Sequence, residues 1–279
     1  MTFSESLKQY KLQFGALLLL LAALYRLVVP DMVVQWYQDE NYSHGFVVPL
    51  IAGYFAYLRR EEILGAEVAP WWPGLGLVLA GLLELLIGWL GTEYFSMRIS
   101  IVVVLAGLTL FFFGKQLFRL MLLPLGYLLF MIPLPYLVYD SVAFPLKLFV
   151  TKVSIAFLQA VGVVVMREGN IIILPSTTLE VADACSGIRS LISLLAIGVA
   201  YAFYLPMSGW RRLLLVACSI PIAVFANACR VIGTGFLAQY WGSRAAEGFF
   251  HEFAGLAVFG VAMVLMLSLG TLLARGRKG

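Results

Sequence analysis

The chain reads as an all-α polytopic membrane protein, and three observations lead to that class. Hydrophobic residues fill 62% of its 279 positions, charged residues only 12%, and mean hydropathy is +0.96. A water-soluble domain of this length has too little interior for so much apolar side chain. Apolar runs near the roughly 20 residues that cross a bilayer recur along the chain, and basic residues punctuate them at regular intervals.

Eight runs are expected to span: 14–30, 44–58, 74–91, 98–113, 117–138, 187–205, 213–237 and 251–273. The first follows Lys8 and Lys11, contains Arg26 and lacks a small-residue cleavage site. It is therefore expected to stay as a span and not to be removed as a signal peptide. Lys8, Lys11, Arg59, Arg60, Lys115, Arg119, Arg211, Arg212, Arg275, Arg277 and Lys278 are eleven of the 19 basic residues. They mark the N-terminus, every second loop and the C-terminus. By the positive-inside rule both termini are expected in the cytoplasm, which requires an even number of spans. The opposite loops carry acids, among them Asp31, Asp39, Glu40, Glu93, Asp140, Glu180, Asp183 and Glu252. This bias accounts for the net charge of +4, so no nucleic-acid partner is expected.

Residues 139–186 form the longest stretch without an assigned span. Lys147 and Lys152 interrupt the apolar residues of 141–163, so an amphipathic helix on the outer membrane surface is expected there. The following β-branched runs flank Glu168-Gly169-Asn170 and predict a short β-hairpin before the sixth span. Pro175 is expected to end its second strand or hold it at an edge. No repeat divides the chain. It is expected to be one integral-membrane domain over 1–279, with any catalytic part at about 139–273.

Three chemically active residues fall at the outer ends of the last three spans. Cys185 precedes the sixth, Arg230 lies about 17 residues into the seventh, roughly 26 Å along a helix, and His251 opens the eighth. A thiolate is the reactive form of cysteine, and a nearby cation favours it. An imidazole can carry the proton from thiol to leaving amine, and a guanidinium can hold an oxyanion. Together they suit acyl transfer through a thioester.

Each also has a plainer reading. Cysteine at a helix end often only packs, an interfacial histidine often only snorkels, and an intramembrane arginine is either functional or paired. On residues alone, His44 rivals His251 as the base and Cys229 rivals Cys185 as the nucleophile, while Cys218 is expected to pack. Weaker candidates support the site or contact substrate. Ser186 and Gly187 would turn the chain and offer amides at a helix N-terminus. Arg189 lies one turn beyond Cys185, and Asn227 stands three residues before Arg230. Three cysteines suggest neither a disulfide framework nor a metal site, and no cofactor is expected.

The blocks ADACSGIRSL, ANACRVIGTG and HEFAG, with the earlier NYSHGFVVP, resemble the ordered motifs of the exosortase/archaeosortase family over about 41–260. That resemblance implies a membrane cysteine protease/transpeptidase, with the family's Cys, Arg and His at Cys185, Arg230 and His251. It favours His251 over His44, which becomes a supporting residue. It implies partners that are membrane-anchored proteins ending in a sorting signal: a Pro-Glu-Pro-type motif, an apolar span and a basic tail. It also implies a prokaryotic cytoplasmic membrane, an extracytoplasmic site and a link to exopolysaccharide assembly machinery. No fused soluble domain is expected after the last span. Two other classes stay open on the residues. A transporter or flippase would also use intramembrane Arg230 and Glu84, although no repeated half supports it. A non-catalytic assembly protein for surface polysaccharide would tolerate loss of Cys185.

Overall fold

The computed structural model describes residues 1–175, 178–180, 187–242 and 249–275, with 179, 180, 241 and 249–254 as backbone only. Its contacts fall into two units, Met1–Pro135 and Tyr136–Gly279. The first holds α1 (Phe3–Gln9), α2 (Lys11–Leu24), α3 (Val28–Gln38), α4 (Val48–Leu58), α5 (Arg60–Gly65), α6 (Pro73–Leu90) and α7 (Tyr94–Tyr127), with 3₁₀ turns at Glu40–Phe46 and Leu128–Met131. The second holds α8 (Tyr136–Ala160), strands β1 (Met166–Glu168), β2 (Ile171–Ile173) and β3 (Thr178–Glu180), then α9 (Ile188–Tyr204), α10 (Gly209–Trp241) and α11 (Phe249–Arg275). The architecture is the expected one, helices that turn apolar side chains outward: α2 has no buried residue, and Leu18, Leu19 and Leu20 stand exposed along it.

Among the described residues five helices are long and apolar enough to cross a membrane, and a sixth if α1 and α2, bent by 86°, count as one. The expected eight segments map onto fewer such helices for identifiable reasons. Segments 44–58 and 187–205 are built as helices of 11 and 17 residues. Segment 98–113 and residues 117–131 of segment 117–138 belong to one helical run, broken at Gly114, while 136–138 open α8. That break is a reversal. Arg98 Nη1 donates to Gln35 at 2.7 Å, while Trp36 Nε1 donates to the Met131 carbonyl at 2.8 Å. A straight helix would hold residues 98 and 131 roughly 50 Å apart, yet adjacent residues of α3 bind both. Gly114 makes the turn possible with φ +85°, and a Cβ there would strike the Ala69 carbonyl oxygen. The two arms of α7 thus run as separate antiparallel passes.

The first arm packs antiparallel on α6 through glycines. Gly88 abuts Met97, Gly81 abuts Val104, Gly107 abuts Val78 and Gly74 abuts Phe111, so each step along one helix is met by an equal step back on the other. Missing side chains let the two backbones approach closely, the usual basis of helix association in lipid. At the far end Arg98, almost fully buried, pairs with Asp31 at 2.8 Å. Glu93 caps α7 by accepting from the backbone N–H of Phe95 and Ser96. Burial opposes ionisation of that carboxyl, but the bonds from Ser96 and Phe95 and the nearby Arg98 outweigh it and hold its pKa below the usual carboxylate value. Arg59, Arg60, Lys115 and Arg119 lie at the opposite end, where Ile63, Ala66 and Leu117 form a small core.

In the second unit α8 exceeds the surface helix expected over 141–163. It runs 25 residues and is itself apolar enough to cross a bilayer. Its buried face meets Ile188 through Tyr139 and Ala143, and meets Ala228, Val231 and Ala238 through Val150, Ile155 and Leu158. The expected hairpin forms around Gly169-Asn170, pairing Met166 with Ile173, and Pro175 lies just beyond its second strand. A third strand follows, pairing Ile171 with Glu180. Ile172 and Leu174 seat the sheet on the same core as α8 and α10.

Candidate active site

Three helices of the second unit carry the candidate site, and glycine contacts set their register. Gly198 of α9 lies against Ser219 of α10 and Met266 of α11. Leu215 and Arg230 of α10 lie against Gly270 and Gly255 of α11. The step from 215 to 230 equals the step from 270 back to 255, so these helices are antiparallel in a constant register. Arg211 confirms that register at the far end by donating to the Leu273 carbonyl at 3.1 Å, where a cation also suits a helix C-terminus.

At the other end the motifs meet. A Cβ on Gly187 would stand 2.7 Å from Asn227 Nδ2, so the Asn227 amide lies directly on that backbone. Gly187 has φ +78° and opens α9 in the left-handed region, where a side chain would be strained as well as obstructed. One turn along α10, the Arg230 guanidinium lies against Gly255, where a Cβ would be 3.2 Å from Cζ and Nη2. Asn227 is buried and Arg230 half-buried. The Thr234 hydroxyl donates to the Arg230 carbonyl at 3.0 Å and ties the next turn to it.

Other candidates take different places. Arg189 lies half-buried in the first turn of α9. Cys229 is exposed on the apolar surface of α10, and Cys218 is partly buried about three turns below. His44 belongs to the first unit, in the 3₁₀ turn, with Nε2 3.1 Å from the Phe130 carbonyl. A carbonyl only accepts, so that contact puts the proton on Nε2. Cys185 and Ser186 lie outside the described residues, and His251 is described only as part of the α11 backbone. It is four residues before Gly255. The role of Gly255 as the seat of a guanidinium was missed in the sequence, although its place one turn after a histidine was the available signal.

A family model described as transmembrane exosortase matches residues 36–268, which takes in all four motif blocks. No curated protein and no solved structure matches the chain.

Proposed function

The chain belongs to the transmembrane exosortase family, and from that premise we propose that it is a membrane cysteine protease/transpeptidase acting on exported proteins. Its substrates would end in a Pro-Glu-Pro-type motif, an apolar span and a basic tail. The observation that carries the reading is the pairing of Gly187 with Asn227 and of Arg230 with Gly255. Cys185 is two residues before Gly187, and His251 one turn before Gly255. That spacing along three helices supports reading thiol, guanidinium and imidazole at one end of the bundle.

That end is opposite Arg211, Arg212 and Arg275, so the positive-inside rule supports an extracytoplasmic site and a cytoplasmic C-terminus, and Lys8 and Lys11 support the same side for the N-terminus. In the reaction His251 takes the proton of the Cys185 thiol. The thiolate attacks the scissile carbonyl, Arg230 holds the oxyanion, and His251 returns the proton to the departing amine. The C–N bond breaks as an acyl-thioester remains on Cys185. Water or an acceptor amine then attacks that thioester and restores the thiol. Asn227 braces the backbone that carries the cysteine, and its place one turn before Arg230 joins the two parts.

The test is co-expression with an exported reporter carrying such a tail. The wild-type chain should release the tail, whereas Cys185→Ala, Arg230→Ala and His251→Ala should not. Continued tail release by the Cys185→Ala protein, at wild-type expression, would sink the proposal.

A further inference from the structure

A second built feature lies in the first unit, among residues that the proposed reaction does not use. A cleft of about 700 Å³ opens between α5 and the start of the second arm of α7, lined by Glu62, Gly65, Lys115, Gln116, Arg119 and Leu120. Its walls are fixed to each other. Gln116 accepts from the Glu67 backbone N–H at 3.2 Å, and Ile63 and Ala66 pack on Leu117 beneath it. Lys115 and Arg119 are one turn apart on one helix, so both present charge to the same opening. Among the described residues neither has a carboxylate within 4 Å, and Lys115 instead rests 4.3 Å from the centroid of the Trp71 ring. The second arm also begins at Lys115, immediately after the reversal at Gly114, so its positive N-terminal end adds to the same field.

We propose that this cleft binds the phosphate headgroup of an acidic glycerophospholipid. Position favours a lipid over a dissolved anion: the cleft lies at the basic end of the unit, beside Trp71, with Trp72 74% and Leu64 43% exposed around it. Exposed tryptophan and leucine at that level are what a membrane interface accommodates. The headgroup phosphate accepts from Lys115 and Arg119, the Gln116 amide faces the glycerol oxygens, and the acyl chains run along the apolar exterior of α7. Glu62 is the one carboxylate in the lining, and it opposes the anion. The cleft thus holds an adjustable affinity: removing Glu62 tightens it, removing the cations loosens it.

The test uses the full chain in phosphatidylcholine nanodiscs doped with phosphatidylglycerol, with retained lipid counted by native mass spectrometry after release. Lys115→Gln with Arg119→Gln should lower phosphatidylglycerol retention by about fivefold per cation removed, with phosphatidylcholine retention unchanged. Glu62→Gln should raise phosphatidylglycerol retention severalfold, a gain that misfolding does not produce. Unchanged retention in both variants overturns the proposal. Displacement of the lipid by millimolar inorganic phosphate overturns it as well, because the cleft would then be a site for a dissolved anion.

Discussion

Arg230 and Gly255 touch across the interface of α10 and α11, the guanidinium lying 3.2 Å from where any other residue would place its Cβ. The contact makes a glycine part of the geometry of an arginine. Filling it should therefore act on chemistry before stability. Gly255→Ala needs a shift of a few tenths of an ångström and should cost a few-fold in tail release. Gly255→Leu should displace the guanidinium and cost roughly 100-fold, the scale of losing one oxyanion donor. Rates of tail release at matched expression would show it, and an active Gly255→Leu protein would separate Arg230 from the reaction.

Three cysteines offer a control within the same chain. Cys229 adjoins Arg230 in sequence but faces outward, exposed on α10. Cys229→Ser and Cys218→Ala should leave tail release within about twofold of wild type, since neither is the proposed nucleophile. Alkylation followed by mass spectrometry should find Cys229 reactive without loss of function. Strong inactivation on modifying Cys229 alone would move the nucleophile.

The α6–α7 contact predicts where the first unit is least tolerant. A Cβ at Gly81 would stand 2.7 Å from Val104 and 3.1 Å from Val103. Gly81→Leu should separate the helices and destabilise the unit by about 1–3 kcal/mol, as overpacking does. Gly76 has nothing near its Cβ position, so Gly76→Leu should be nearly neutral. Detergent melting temperatures of the two variants compare them directly.

Glu93 gives a pH dependence with a defined sign. Partial burial opposes its ionisation, but the bonds from Ser96 and Phe95 and the nearby Arg98 outweigh that and hold its carboxyl below the ordinary glutamate value of 4.5. A depressed folded pKa means the stabilisation is present above about 4.5 and is lost as pH falls through the folded value. Glu93→Ala should cost about 1 kcal/mol at pH 7, the usual worth of an N-cap. The difference in melting temperature from wild type should shrink below pH 4. A difference that stays constant down to pH 3 would contradict the charged cap.

Much of this was legible in the sequence. Hydropathy adds along the chain, so runs such as 74–91 and 213–237 declare themselves without knowledge of their neighbours. The turn at Gly169-Asn170 is equally local. The length of α8 was less readable. Lys147 and Lys152 mark 141–163 as amphipathic in the sequence, yet the apolar residues around them extend one continuous helix over Tyr136–Ala160. β3 was also missed, because its pairing with β2 depends on the chain returning after Pro175.

By itself the sequence determined an α-helical membrane chain, the ends at which its basic residues gather, and the placement of Cys185, Arg230 and His251 at the edges of three runs. The tertiary structure alone decided that the expected reversal between 98–113 and 117–138 is made at Gly114 within one helical run, that Asn227 rests on Gly187, and that Arg230 rests on Gly255. The physical reason is that crossing a membrane is a property of summed local hydropathy. Register is a property of which positions lack a side chain when two helices meet, and glycine announces that only when its opposite number is known.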